Sequence, residues 1–143
     1  MEKSPTGMGR ALTLPAKVES ITAVTAFLEQ ELEALGCPLK QKMEICVAAD
    51  EIVTNISMYA YTPGSGELTV CFVFDEEHRT AEITFSDEGI PFDPLQKEDP
   101  DVTLSANKRQ IGGLGIFLVK KTMDGMAYRR EDGKNILTIR KII

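Results

Sequence analysis

The chain has 143 residues, 43% hydrophobic and 27% charged, which suits one globular domain able to bury a sizeable core. Its formal net charge of −6 argues against a nucleic-acid-binding surface, which would be basic, and favours a basic partner surface. No apolar run approaches the length of a membrane span, and residues 1–11 read as a polar lead rather than a signal peptide, so a soluble cytoplasmic protein is expected.

Leu12-Thr13-Leu14, stopped by Pro15, predicts a short edge strand. Val18, Ile21, Leu28, Leu32 and Leu35 recur at helical intervals, so a helix is expected over 16–35, with Gly36 as its C-terminal cap and Pro38 preventing continuation. A second helix is predicted from Leu39 to Tyr59, its apolar face formed by Met43, Cys46, Val47, Ile52, Val53 and Ile56, before Pro63-Gly64-Ser65-Gly66 breaks the chain. Leu68, Val70, Phe72 and Phe74 alternate with Thr69, Cys71 and Val73, which predicts a strand with one face buried and the other largely covered. After a polar turn at 75–79, Ala81, Ile83 and Phe85 alternate with polar residues and predict its hairpin partner. Residues 93–111 carry Pro94 and Pro100 and no sustained periodicity, and a stretch of that kind inside a compact domain is functional or disordered. Leu114–Met123 reads as a third helix, and 127–130 with 136–142 as a final hairpin around Asp132-Gly133. The order predicts one α+β domain over 1–143, a two-layer α/β sandwich with a mixed, mostly antiparallel sheet. Cys37, Cys46 and Cys71 are odd in number and include no Cys-x-x-Cys pair; Cys46 and Cys71 sit in apolar runs, which predicts buried free thiols and a reducing compartment.

Three separated elements carry the chemistry. Glu51 and Asn55 are four residues apart, so on a helix they share a face, whereas Asp50 lies about 140° around the axis from Asn55. A neutral Asn oxygen can ligate Mg²⁺ while the ion keeps waters and takes phosphate oxygens, and Glu51 would then accept a proton from a nucleophile attacking a γ-phosphate. Taken alone, the pair reads first as an exposed Glu and Asn on a solvated helix face. Asp87 follows the strand that ends at Phe85. A carboxylate accepts hydrogen bonds only, so an Asp facing a purine favours the amino donor of adenine over the carbonyl of guanine. Gly89 permits close approach of backbone to a flat base, although Asp87-Glu88-Gly89 alone is also an ordinary turn. Gly112-Gly113-Leu114-Gly115 opens the third helix with exposed amides at a terminus that favours anions, which points to phosphate rather than to a merely flexible loop. No Gly-x-x-x-x-Gly-Lys-Ser/Thr, His-Arg-Asp or Asp-Phe-Gly sequence is present.

With these elements in this order, the chain resembles the GHKL ATPase superfamily (gyrase, Hsp90, histidine kinase and MutL type) over essentially its whole length. Glu51–Asn55 matches the N box, Asp87–Phe92 the first glycine box and Gly112–Gly115 the second. It is most similar to the compact serine kinases that act as bacterial anti-sigma factors. The resemblance implies the Bergerat, histidine kinase-like ATPase fold, with ATP and Mg²⁺ as ligands. It assigns the metal to Asn55, the catalytic base to Glu51 and adenine to Asp87. Nucleotide contacts fall to Gly89, Gly112, Gly113, Leu114 and Gly115. Residues 93–111 become an ATP lid whose Lys108 or Arg109 reaches the γ-phosphate on closure. Tyr59 stands where a His is often found, and Pro91 where many members have a second glycine; Pro91 is familiar in anti-sigma-like members. His78 reads as an exposed turn residue rather than a phosphoacceptor.

The implied function is an anti-sigma serine/threonine protein kinase. It would phosphorylate a small STAS-domain anti-anti-sigma protein and regulate a sigma factor by partner switching, with a homodimer as a further possibility and no direct contact with nucleic acid or membrane. The alternative is a non-catalytic ATP-binding module whose lid switches a partner surface. The retained Glu51 argues against that alternative, because a pure binder needs Asn55 and the glycines but no base. A sensor histidine kinase catalytic half fits less well, for want of dimerisation helices and a phosphoacceptor.

Overall fold

The computed structural model describes residues 9–61, 64–96 and 113–143. Strand β1 spans Arg10–Pro15, helix α1 Ile21–Ala34, helix α2 Leu39–Tyr59, strands β2 and β3 Glu67–Asp75 and Thr80–Asp87, helix α3 Gly113–Thr122, and strands β4 and β5 Gly125–Glu131 and Lys134–Ile142. The five strands form one sheet in the order β1-β2-β3-β5-β4. Every pairing is antiparallel, so the sheet has no mixed edge. The helices cover one face, giving the expected two-layer sandwich, and no helix among the described residues is long and apolar enough to cross a membrane.

Local chemistry sets the boundaries. Helix α1 begins later than the periodicity suggests because Val18–Ser20 forms a 3₁₀ turn, closed by the Ser20 hydroxyl donating to the Pro15 carbonyl at 2.7 Å. It ends as its sequence requires: Gly36 takes φ +69°, and the amides of Gly36 and Cys37 donate back to the carbonyls of Glu33 and Leu32. Asp132 and Gly133 both have positive φ, at +53° and +76°, the geometry of a tight type I′ hairpin turn. His78 is in the exposed turn between β2 and β3, its Nδ1 2.7 Å from Asp75 Oδ2, and this contact holds the Asp75 carboxyl below its ordinary value.

The core lies between the helices and the inner sheet face. Val24, Leu28 and Leu32 of α1 meet Ile45, Ile52 and Val53 of α2 and the inward row of Val70, Ile83, Phe85 and Ile139. The structure corrects the predicted face of α2. Met43 and Val47 are 57% and 53% exposed, while Ile45, Ala48 and Ala49 are buried. At about 100° per residue, Met43 and Val47 sit roughly 160–200° around the axis from Ile45. They line a shallow apolar groove with Leu118 instead. The three free cysteines are half-buried rather than buried. Burial still pushes each thiol up, Cys46 to about 11 with Glu29 and Asp50 adding to the effect, so these thiols stay protonated near neutral pH.

Leu28 has no exposed surface, so Leu28→Ala should lower stability by about 2–5 kcal/mol. Chemical denaturation should show a lower midpoint with an unchanged slope.

Candidate functional site

A cleft open to solvent lies between the C-terminal half of α2, the start of α3 and the ends of β3, β4 and β5. Its walls are apolar, from Ile52, Ile56, Phe85, Ile116 and Leu137, and its polar groups come from Asn55, Asp87, Tyr128 and Asn135. A mostly apolar slot with a few convergent polar atoms suits a flat heteroaromatic ligand.

Asp87 is the last residue of β3 and only 5% exposed. The alternation that buries Ala81, Ile83 and Phe85 brings Asp87 to the same face one rung further on, where it lines the cleft. Its Oδ1 accepts from the Gly89 amide and from Asn135 Nδ2, each at 2.9 Å. Among the described residues nothing bonds Oδ2, which leaves an acceptor for a ligand's donor. The turn beyond is tied down on both sides. The Ile90 amide donates to the Ala60 carbonyl at 2.8 Å, and Arg130 donates to the Gly89 carbonyl at 2.8 Å. A Cβ on Gly89 would lie 2.1 Å from the Ala60 oxygen, so the close approach that this glycine permits is to the backbone at the end of α2. Tyr61 braces the same turn, accepting from the Glu88 amide at 2.7 Å and donating to the Glu67 carbonyl at 2.6 Å.

The helix face predicted for Glu51 and Asn55 is turned toward this end of the molecule. Asn55 lines the cleft, and its side chain makes no hydrogen bond among the described residues. Glu51 lies against the first turn of α3: a Cβ on Gly115 would come within 2.1 Å of Glu51 Oε2. The glycine thus makes room for a carboxylate at a helix N-terminus, where the helix dipole favours negative charge. Asp50 is directed elsewhere, accepting from the Thr25 hydroxyl of α1 at 3.1 Å. Gly113 and Leu114 form the start of α3, as the glycine run implies. Arg109, Lys108, Gly112 and most of the 93–111 stretch lie outside the described residues; within it, Pro94–Gln96 forms a 3₁₀ turn.

Two contributors, Tyr128 and Asn135, escaped the sequence reading, and a third, Phe92, was read only as the end of the first glycine box. Phe92 forms part of the cleft wall and packs on Tyr59 with ring centroids 5.8 Å apart, which supplies the contact at the end of α2. Tyr128 and Asn135 arrive from the final hairpin. The only signal for Asn135 was an Asn in the strand run of β5, at a position that disfavours it.

The residues fit Mg-ATP in their donor chemistry. Asp87 offers an acceptor for an amino group and Asn55 a neutral amide oxygen, and Gly115 brings the Glu51 carboxylate close to a helix start. No cluster of three or more His, Cys, Asp or Glu is present among the described residues, so a bound Mg²⁺ would rely chiefly on phosphate oxygens and water.

Comparison with known proteins gives the family. The sequence model described as Histidine kinase-like ATPase domain matches residues 14–141. The serine/threonine-protein kinase BtrW of Bordetella bronchiseptica is 31% identical over 131 residues, covering 89% of this chain and 90% of that protein. Serine-protein kinase RsbW of Bacillus cereus is 26% identical, covering 92% and 83%, and that of Listeria monocytogenes 28%, covering 92% and 85%. Among solved structures, the RsbU and RsbW domains of a Mycobacterium tuberculosis protein superpose with TM-score 0.64 at 15% identity, over 92% of this chain and 32% of that longer one. The SiaB–SiaC complex of Pseudomonas aeruginosa gives 0.56 at 17% identity, over 94% and 89%. At such identities the structural likeness speaks for the fold alone.

Two glycine variants should behave differently. In Gly89→Ala the new methyl meets backbone, so the 87–92 turn must shift and nucleotide affinity should fall sharply in titration calorimetry. In Gly115→Ala it meets only the end of a flexible side chain, so the fold and most nucleotide affinity should survive while the Glu51 carboxylate is displaced.

Proposed function

We infer that this chain, which belongs to the histidine kinase-like ATPase domain family, is a serine/threonine protein kinase using ATP. The activity follows from relatives, matched over 83–90% of their own length, that carry the name serine or serine/threonine-protein kinase. The observation that carries the nucleotide reading is the buried Asp87, which lines the apolar cleft with Oδ1 filled by two donors and Oδ2 bonded by no group among the described residues. In this role Oδ2 accepts from the adenine amino group, while guanine would set a carbonyl oxygen against it. Phe92 and the aliphatic residues of the cleft cover the base, and the start of α3 receives the phosphates through its amides.

Mg²⁺, held by Asn55 and by phosphate oxygens, would neutralise charge that builds up on the transferring group. Glu51 takes the proton of the attacking serine hydroxyl as the serine oxygen bonds to the γ-phosphorus. The bond to the β–γ bridging oxygen breaks and ADP leaves. Arg109 or Lys108, from the segment we assign as the lid, adds positive charge at the γ-phosphate.

The acceptor we propose is a serine on a small STAS-domain antagonist, with a sigma factor as the competing partner and the cytoplasm as the compartment. Phosphorylation adds up to about two negative charges to the antagonist. A protein of net charge −6 would release it for that reason, and partner switching follows.

The direct test is transfer of label from [γ-³²P]ATP to serine of a co-expressed STAS protein. Glu51→Ala should keep Mg-ATP binding and lose about 10²–10⁴-fold in transfer rate, the usual contribution of a positioned base. Asp50→Ala is the control, because that carboxylate is engaged by Thr25. Parental rates in both variants would remove Glu51 from the role of base. Binding of ATP without transfer to any small serine-bearing partner would favour a regulatory module.

Asn55→Ala should make nucleotide binding weak and insensitive to Mg²⁺ in a titration with and without the ion. Parental Mg-ATP affinity in that variant would refute the metal assignment.

A further inference from the structure

We propose that Asn135 sets the adenine specificity of the cleft by acting through Asp87, a positioning role that rests on the nucleotide reading above. Asn135 is 6% exposed and stands opposite Asp87 in the β3–β5 register. Its amide is used to capacity. Nδ2 donates to Asp87 Oδ1 at 2.9 Å and to the Ile90 carbonyl at 2.8 Å. Its Oδ1 accepts from the Phe92 amide at 3.1 Å and from the Tyr128 hydroxyl at 2.5 Å. Exchanging its oxygen and nitrogen would turn the contacts to the Phe92 amide, the Ile90 carbonyl and the Asp87 carboxylate unfavourable, the last by setting an oxygen against a carboxylate, while the Tyr128 hydroxyl could serve either atom.

Two consequences follow for recognition. With Oδ1 held by Gly89 and Asn135 together, the Asp87 carboxyl plane cannot rotate without losing both bonds, so Oδ2, bonded by no group among the described residues, keeps one position at the cleft that Asp87 lines. The same amide fixes the carbonyl of Ile90 and the amide of Phe92, so the acceptor for the base edge and the aromatic wall are held at one spacing by one side chain. Discrimination between adenine and guanine depends on a fixed acceptor facing a fixed base plane, since a carboxyl group free to turn could yield to the guanine carbonyl. Asn is disfavoured in strands and is expensive to bury, and a Leu would fill the same volume; the four bonds offset that penalty.

The test combines Asn135→Leu, Asp87→Asn and the double variant, with ATP and GTP affinities measured by titration calorimetry. Asn135→Leu should weaken ATP binding about 10- to 100-fold, the size expected for losing a bond to a charged group, while GTP binding changes far less. The ATP/GTP ratio should therefore collapse. In the double variant, Asn135→Leu should reduce that ratio no further than Asp87→Asn does alone, because both act through one carboxylate. Should Asn135→Leu fail to fold, Asn135→Ser reaches fewer of the four partners and carries the same cycle. An unchanged ATP/GTP ratio, or losses that add in the double variant, would make Asn135 a structural filler only and leave the nucleotide reading intact. Parental protein that binds neither nucleotide would remove both.

Discussion

The cleft depends on keeping one carboxylate out of water. Asp87 is 5% exposed, and a charge buried that far persists only where donors replace its hydration. Sheet register supplies them. Asp87 pairs across β3–β5 with Asn135, 48 positions away in sequence, and its own turn returns the Gly89 amide. Because side chains alternate across a strand, a slip of one residue would swing Asp87 to the open face of the sheet and bring Ser86 inward. What prevents the slip is the apolar row beneath it, where Val70, Phe85 and Leu137 pair in register on the core side. The hydrophobic core therefore acts as the alignment device for the polar site.

Helix α2 serves both halves of the molecule. Ile45, Ala48, Ala49, Ile52 and Val53 close the core, while Glu51 and Asn55 turn toward the cleft end. Adjacent carboxylates meet different fates on this helix because each step rotates the side chain by about 100°. Asp50 is engaged by Thr25 of α1, and Glu51 lies on the first turn of α3. That contact exists because residue 115 has no side chain, so one glycine serves both helix packing and access to the helix terminus. A carboxylate placed there shares the positive end of α3 with any incoming anion; in the proposed function this is the reacting end of the site, and Asp87 faces the base.

The first glycine-bearing turn is held from three directions. Ala60 at the end of α2, Tyr61 beyond it and Arg130 of β4 each bond its backbone. Asn135 adds Ile90 and Phe92. A turn so restrained presents a rigid rim to the cleft, and under the proposed nucleotide reading that rigidity would make a single acceptor selective.

Most of the architecture was legible in the order of the amino acids because it rests on local rules. Period-3.6 and period-2 patterns located α2 at its observed ends and the β2–β3 hairpin within a residue or two, and Gly36 and Asp132-Gly133 marked a helix cap and a tight turn through positive φ. The spacing of Glu51 and Asn55 and the alternation leading to Asp87 depend on the same periodicities, so their facing was also readable. Which side of α2 is buried was not, since Met43 and Val47 are as apolar as Ile45 and only contact with α1 and the sheet chooses between them. The surroundings of Asp87 were hidden for a deeper reason. Its partner Asn135, the Tyr128 that bonds Asn135 and the Ala60 carbonyl that holds the following turn are brought together by sheet register and helix packing, which are global solutions to burying the core, and no window of neighbouring residues contains that information. Sequence alone determined the elements and the chemical groups they carry; the tertiary structure decided which of those groups meet, because only the packed sheet sets the distance between residues far apart in the chain.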